Sequence, residues 1–227
     1  MAEIVEISTL RNRIHVFNNR FHAGELLAEQ LKEYKGKKEA IVLAVPAGGV
    51  PVALQVSKRL NIPLDLAVTR KLHIPWNREA GFGAISWDGI IVLNESLVTS
   101  LGLTKEEIAH CVEEERAVIH KRLKEFREDK PFPDLKGKVV IIVDDGLASG
   151  FSMLVTVKTI KRKAEEVVVA VPTAPMSAIE FIKPHVDKIF CLNIRSGGLF
   201  AVADAYKVWY DLANEDVMDL LMDVHIF

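Results

Sequence analysis

Two kinds of hydrophobic pattern alternate along the chain. Continuous apolar runs occur at Ala40–Val45 and Val139–Val143, as expected for strands buried on both faces. Leu64–Val68, Val167–Val171 and Lys188–Ile194 read as further strands. Between them lie stretches with helical spacing. Leu26, Leu27 and Leu31 recur within Phe21–Tyr34, with Glu and Lys between them. Gly48-Gly49 opens a helical stretch, Pro51–Leu60, which Asn61-Ile62-Pro63 stops. Ser152–Lys163 and Ser177–Ile182 follow the same pattern. Strand, helix and strand in succession imply parallel pairing with right-handed crossovers.

Some segments depart from the alternation. Arg70–Phe82 holds Pro75, Trp76, Asn77, Arg78 and Gly81 without a clear period, and reads as a loop. Ala84–Trp87 and Ile90–Leu93 flank Asp88-Gly89, a hairpin-turn pair. Thr104 and Glu107 have capping-box spacing. Behind them Ile108, Cys111, Val112, Ile119, Leu123 and Phe126 form a helical stripe, with the acidic run Glu113–Glu115 expected on its solvated face. Residues 129–138 carry two prolines and read as a connector, and Ser196–Phe227 mixes aromatic residues with a final helical pattern. The whole, residues 1–227, reads as one doubly wound α/β domain: a mainly parallel sheet with helices on both faces and a small cap.

Composition narrows the picture. Of 227 residues, 49% are hydrophobic and 26% charged, so a buried core is expected rather than disorder. The net charge of −2 argues against a broad nucleic-acid or membrane-surface footprint. Cys111 and Cys191 lack CxxC partners and read as reduced, buried thiols. MAEIVEISTLRNR lacks a basic segment followed by an apolar one, and no apolar run approaches membrane-spanning length. The cytoplasm is the expected location. The histidines are scattered without a ligand pair, and no Gly-x-Ser-x-Gly elbow is present.

The chemistry concentrates at Val139–Met153. An apolar strand ends in Asp144 and Asp145, a loop of small and hydroxyl residues follows, and a helix begins. Ligands of open α/β sheets bind at the carboxyl ends of strands, and helix N-termini favour phosphate. Gly146 and Gly150 allow close backbone approach, and Ser149 and Ser152 add donors. A phosphate therefore suits residues 147–152, and the acids suit a polyol or a hydrated Mg²⁺. A Walker A loop needs a Gly-Lys-Ser/Thr end and a dinucleotide loop needs G-x-G-x-x-G; neither is present.

Four apolar residues, two acids, a short linker and Ser-Gly-x-Ser resemble the phosphoribosyl pyrophosphate (PRPP) signature of type I phosphoribosyltransferases. The resemblance implies that Asp144 and Asp145 hold the ribose hydroxyls of Mg-bound PRPP. It matches Ser149, Gly150 and Ser152 to the loop that holds the 5′-phosphate, and Gly146, Leu147, Ala148 and Phe151 of the same loop are expected at the substrate with them. Val45–Pro51 resembles the family's pyrophosphate loop, with Ala47 at the usual basic position beside Gly48 and Gly49. Arg70 and Lys71 follow the next strand; they either supply the missing charge or form a solvated basic pair. Residues 71–93 match in position a mobile loop and hairpin that closes over the site, and 195–227 a hood with the C-terminal tail.

The implied reaction transfers 5-phosphoribosyl to a nitrogen acceptor, a nucleobase, with release of pyrophosphate. The implied partners are PRPP and a small-molecule acceptor, without nucleic acid or membrane, and a homodimer. In the hood, Trp209 and then Tyr210 and Tyr206 are candidates for stacking on a base, a contact of roughly 1–3 kcal/mol; packing of the tail onto the core is the alternative. Enzymes for 6-oxopurines carry an acid where this chain has Ala148, which argues against hypoxanthine or guanine. Ala47 leaves open a second role, a non-catalytic PRPP or nucleotide-binding regulator.

Overall fold

The computed structural model describes residues 2–128 and 130–222; Asp129 of the expected connector and residues 223–227 of the expected tail lie outside them. Six strands form one parallel sheet: β1 (Glu3–Val5), β2 (Ala40–Ala44), β3 (Leu64–Leu66), β7 (Val139–Val143), β8 (Glu166–Pro175) and β9 (Lys188–Arg195). Their spatial order is β1-β9-β8-β7-β2-β3. The two apolar runs lie side by side at the centre, with Ala40 opposite Val139 and Ala44 opposite Val143. Every residue of both is buried, because helices cover both faces.

The alternation of side chains sorts the core into two layers. Val42, Ala44, Ile141 and Val143 share one layer with α1 (Arg20–Gln30) and α2 (Gly49–Leu60). Ile41, Leu43, Val140 and Ile142 share the other with α5 (Phe151–Ile160) and α6 (Met176–Ile182). The fold is the doubly wound α/β sheet expected from the pattern.

Residues 70–82, expected as a loop, are largely strand. Thr69–Ile74 (β4) and Asn77–Ser86 (β5) pair antiparallel, turning at Pro75-Trp76, and β6 (Ile91–Leu93) completes a three-stranded sheet. Register shifts on both sides of His73 break the period-two alternation that would have revealed the pair. The Asp88-Gly89 turn is present, with Gly89 at φ +87°.

Two more elements follow this sheet: α3 (Glu95–Leu101), unforeseen in the pattern, and the capped helix α4 (Lys105–Arg127). The acidic run on α4 is not wholly solvated. Glu115 is buried and takes Arg70 Nε at 2.7 Å, with His73 Nε2 at 3.5 Å. After β9 the chain forms a short 3₁₀ turn, Val202–Ala205, and α7 (Asn214–Leu221). Residues 17–18 pin this tail: Lys207 N–H donates to Phe17 O at 2.8 Å and Val208 N–H to Asn18 O at 3.0 Å.

Candidate active site

Two adjacent central strands deliver the site from their carboxyl ends. β7 leads into Asp144 and Asp145, and β2 leads into Val45–Gly49, where the Pro46–Ala47 peptide is cis. The two loops interlock. A Cβ at Gly48 would stand 2.0 Å from Asp145 Oδ2, and one at Gly49 would stand 2.8 Å from Val143 O. Only glycine lets the second loop lie against the acids.

The acid pair is held from several sides. Asp145 N–H donates to Asp144 Oδ1 at 2.8 Å, and the buried Tyr206 hydroxyl donates to Asp145 O at 2.5 Å. β8 braces the next residues: Leu147 N–H donates to Thr173 O at 2.9 Å, and Thr173 Oγ1 donates to Asn193 Oδ1 at 2.7 Å. Burial raises both carboxyls above the usual range. The neighbouring Asp145 charge adds to the rise at Asp144, and Arg20 opposes it at Asp145.

The loop then reaches α5 through Gly150, which caps the helix at φ +85° with no capping side chain. The first amides of the helix therefore lack intrahelical acceptors. The Ser149 and Ser152 hydroxyls make no hydrogen bond among the described residues. Acids, loop and helix start share a cavity of about 520 Å³ with Ala47, Gly48, Lys71 and Trp209.

Several expected residues lie elsewhere. Gly49 packs under β7. Arg70 turns to Glu115 on α4. The Phe151 ring lies on Phe181, 5.0 Å between centroids. Tyr210 borders a separate small pocket beside Pro51 and Val208. Lys71 reaches the cavity, its Nζ donating to Glu79 O at 2.7 Å.

The cavity also contains a cation absent from the sequence reading. Arg20, at the first turn of α1, donates from Nε to Asp145 Oδ2 and from Nη1 to Tyr210 O, both at 2.8 Å. Its guanidinium lies 3.8 Å from the centre of the Trp209 ring. Trp209 thus has one face occupied by Arg20, with Tyr206 tilted against it at 5.2 Å. A signal was available. Asn19 caps α1, and a cation in the first turn opposes the helix dipole, so Arg20 needs an anionic partner.

Residues 12–205 match the phosphoribosyl transferase domain family. The chain belongs to that family. It is 33% identical over 211 residues to proteins named "putative phosphoribosyl transferase" in two strains of Mycobacterium tuberculosis. The match covers 92% of this chain and 47% of those proteins, so the chain spans about half the length of the curated relatives it matches. A crystal structure of TT1426 from Thermus thermophilus superposes with a TM-score of 0.73 at 33% identity, covering 91% of this chain and 98% of that one.

Ala47 brings no charge to the cavity, while Lys71 and Arg20 line it from β4 and α1. No helix among the described residues is long and apolar enough to cross a membrane.

Proposed function

We propose that the chain transfers a 5-phosphoribosyl group from PRPP to a nitrogen acceptor, releasing pyrophosphate. The observation that carries this reading is the shared cavity. Adjacent carboxylates and an uncapped helix start line it within one loop, at the carboxyl edge of a parallel sheet. Asp144 and Asp145 take the ribose hydroxyls. The amides at the start of α5 and the Ser149 and Ser152 hydroxyls take the 5′-phosphate. Residues 46–49 take the pyrophosphate.

In the transfer the C1–O bond to pyrophosphate breaks and a C1–N bond forms. The electron pair leaves with pyrophosphate, and the proton of the acceptor nitrogen passes to solvent water. The chain contributes position and fixed charge.

The donor set suits Mg²⁺. Among the described residues no group of three or more potential ligands is assembled. Mg²⁺ commonly uses one or two carboxylates, several waters and substrate phosphates. Asp144 and Asp145 would hold it through water, and it would neutralise charge on the departing pyrophosphate.

The acceptor is read as a nucleobase other than a 6-oxopurine, since the loop has Ala148 where an acid would meet a purine N7 proton. Cytoplasmic chemistry is part of this reading, supported by two buried, unpaired cysteines. Ala47 favours one alternative, a PRPP-binding regulator without turnover.

Two measurements test the assignment. Calorimetric titration with Mg·PRPP should show binding to the wild type and none to Asp144→Asn/Asp145→Asn; equal affinities would overturn the site. Incubation with Mg·PRPP and a panel of bases should release pyrophosphate; tight binding with no release for any base would favour the regulator.

A further inference from the structure

We propose that Arg20 is the pyrophosphate-binding cation of this site, standing in for the basic residue that the glycine loop lacks at Ala47; the proposal rests on the PRPP reading above. Position is the first argument. Arg20 Nε meets Asp145 at Oδ2, the atom against which Gly48 packs. The guanidinium therefore meets the acid pair at the oxygen that borders Gly48. An anion served by Arg20 is the one that loop 46–49 faces.

Unused donors are the second argument. A guanidinium has five N–H groups. Arg20 commits one at Nε and one at Nη1, and Nη2 has no partner among the described residues. The side chain is only 7% exposed and lines the 520 Å³ cavity. Partly unsatisfied donors on a buried charge cost free energy unless a ligand or water completes them. A pyrophosphate is the bidentate acceptor that this fork suits.

The competing cations are less suitable. Arg70 is committed to Glu115 on α4, and Lys71, which lines the cavity, presents a point charge without the fork that meets two anion oxygens at once. Trp209 and Tyr210 O fix the guanidinium plane, so little side-chain entropy remains to be lost when the anion arrives. The bond to Asp145 also gives Arg20 a positioning role: it holds that carboxylate while the cavity is empty and yields when ribose and Mg²⁺ engage the acid.

The experiment is calorimetric titration of wild type, Arg20→Met and Arg20→Lys with two separate probes, Mg·pyrophosphate and ribose 5-phosphate, alongside thermal unfolding. Wild type should bind both. Arg20→Met should weaken pyrophosphate at least about tenfold and change ribose 5-phosphate by less than about twofold, as expected for loss of charge-assisted bonds to one anion. Arg20→Lys keeps the charge without the fork and should fall between them for pyrophosphate alone. Equal loss of both probes, or of neither, would overturn the role of Arg20 and leave the PRPP site standing. Should Arg20→Met unfold at the assay temperature, Arg20→Lys decides by the same criterion. Wild type that binds neither probe would instead overturn the PRPP reading itself.

Discussion

Gly48→Ala tests the interlock between the two loops. Gly48 sits at φ −59°, ψ −33°, where alanine carries no backbone strain. The cost is steric. The new Cβ would stand 2.0 Å from Asp145 Oδ2 and 2.6 Å from Cγ, so the carboxylate must swing away and release Arg20 Nε. That bond joins side chains 7% and 13% exposed, and a hydrogen bond to a charged group contributes about 1.5–3 kcal/mol. Loss of glycine's freedom in the unfolded chain returns about 0.4–1 kcal/mol. The difference, about 0.5–2.5 kcal/mol, should lower Tm by about 1–10 °C for a chain of this size.

The same displacement removes Asp145 from the ribose, so calorimetric titration should show Mg·PRPP affinity reduced at least about tenfold. Gly36→Ala is the control. Gly36 sits at φ +71° with nothing within 4 Å of its added Cβ; it should cost about 1–2 kcal/mol of stability through the backbone and leave PRPP affinity alone. Gly48→Ala with PRPP affinity within about twofold of wild type would refute the reasoning.

Arg70 and Lys71 should separate in the same titration. Lys71→Met should weaken Mg·PRPP several-fold because Lys71 lines the cavity; Arg70→Met should leave affinity unchanged and lower Tm by freeing buried Glu115. His73 gives a pH dependence. Burial holds its imidazole below the usual value, Lys71 lowers it further, and Glu115 opposes the shift. The unfolded chain therefore takes up this proton first as pH falls, so stability is lost from about pH 7 downward through the lowered value. Denaturant unfolding at several pH values between neutral and acid should show His73→Gln losing less stability on acidification than wild type; parallel curves would contradict this account.

The chain's own order of residues carried the central sheet and the acid–phosphate loop. Two apolar runs can be buried on both faces only in the middle of a parallel sheet, and such a sheet exposes its strand ends as a ligand edge. Asp144 through Ser152 are contiguous, so their chemistry is written in one short segment. Tertiary structure decided the rest. The bulges beside His73 hid a strand pair that only its partner reveals. Glu115 reads as solvated along α4 but is buried by the arrival of β4. Arg20 lies 125 residues before the acid it meets. Local periodicity reports how one element buries its own face; the partner of a charge is chosen by where distant elements pack, and no spacing along the chain encodes that distance.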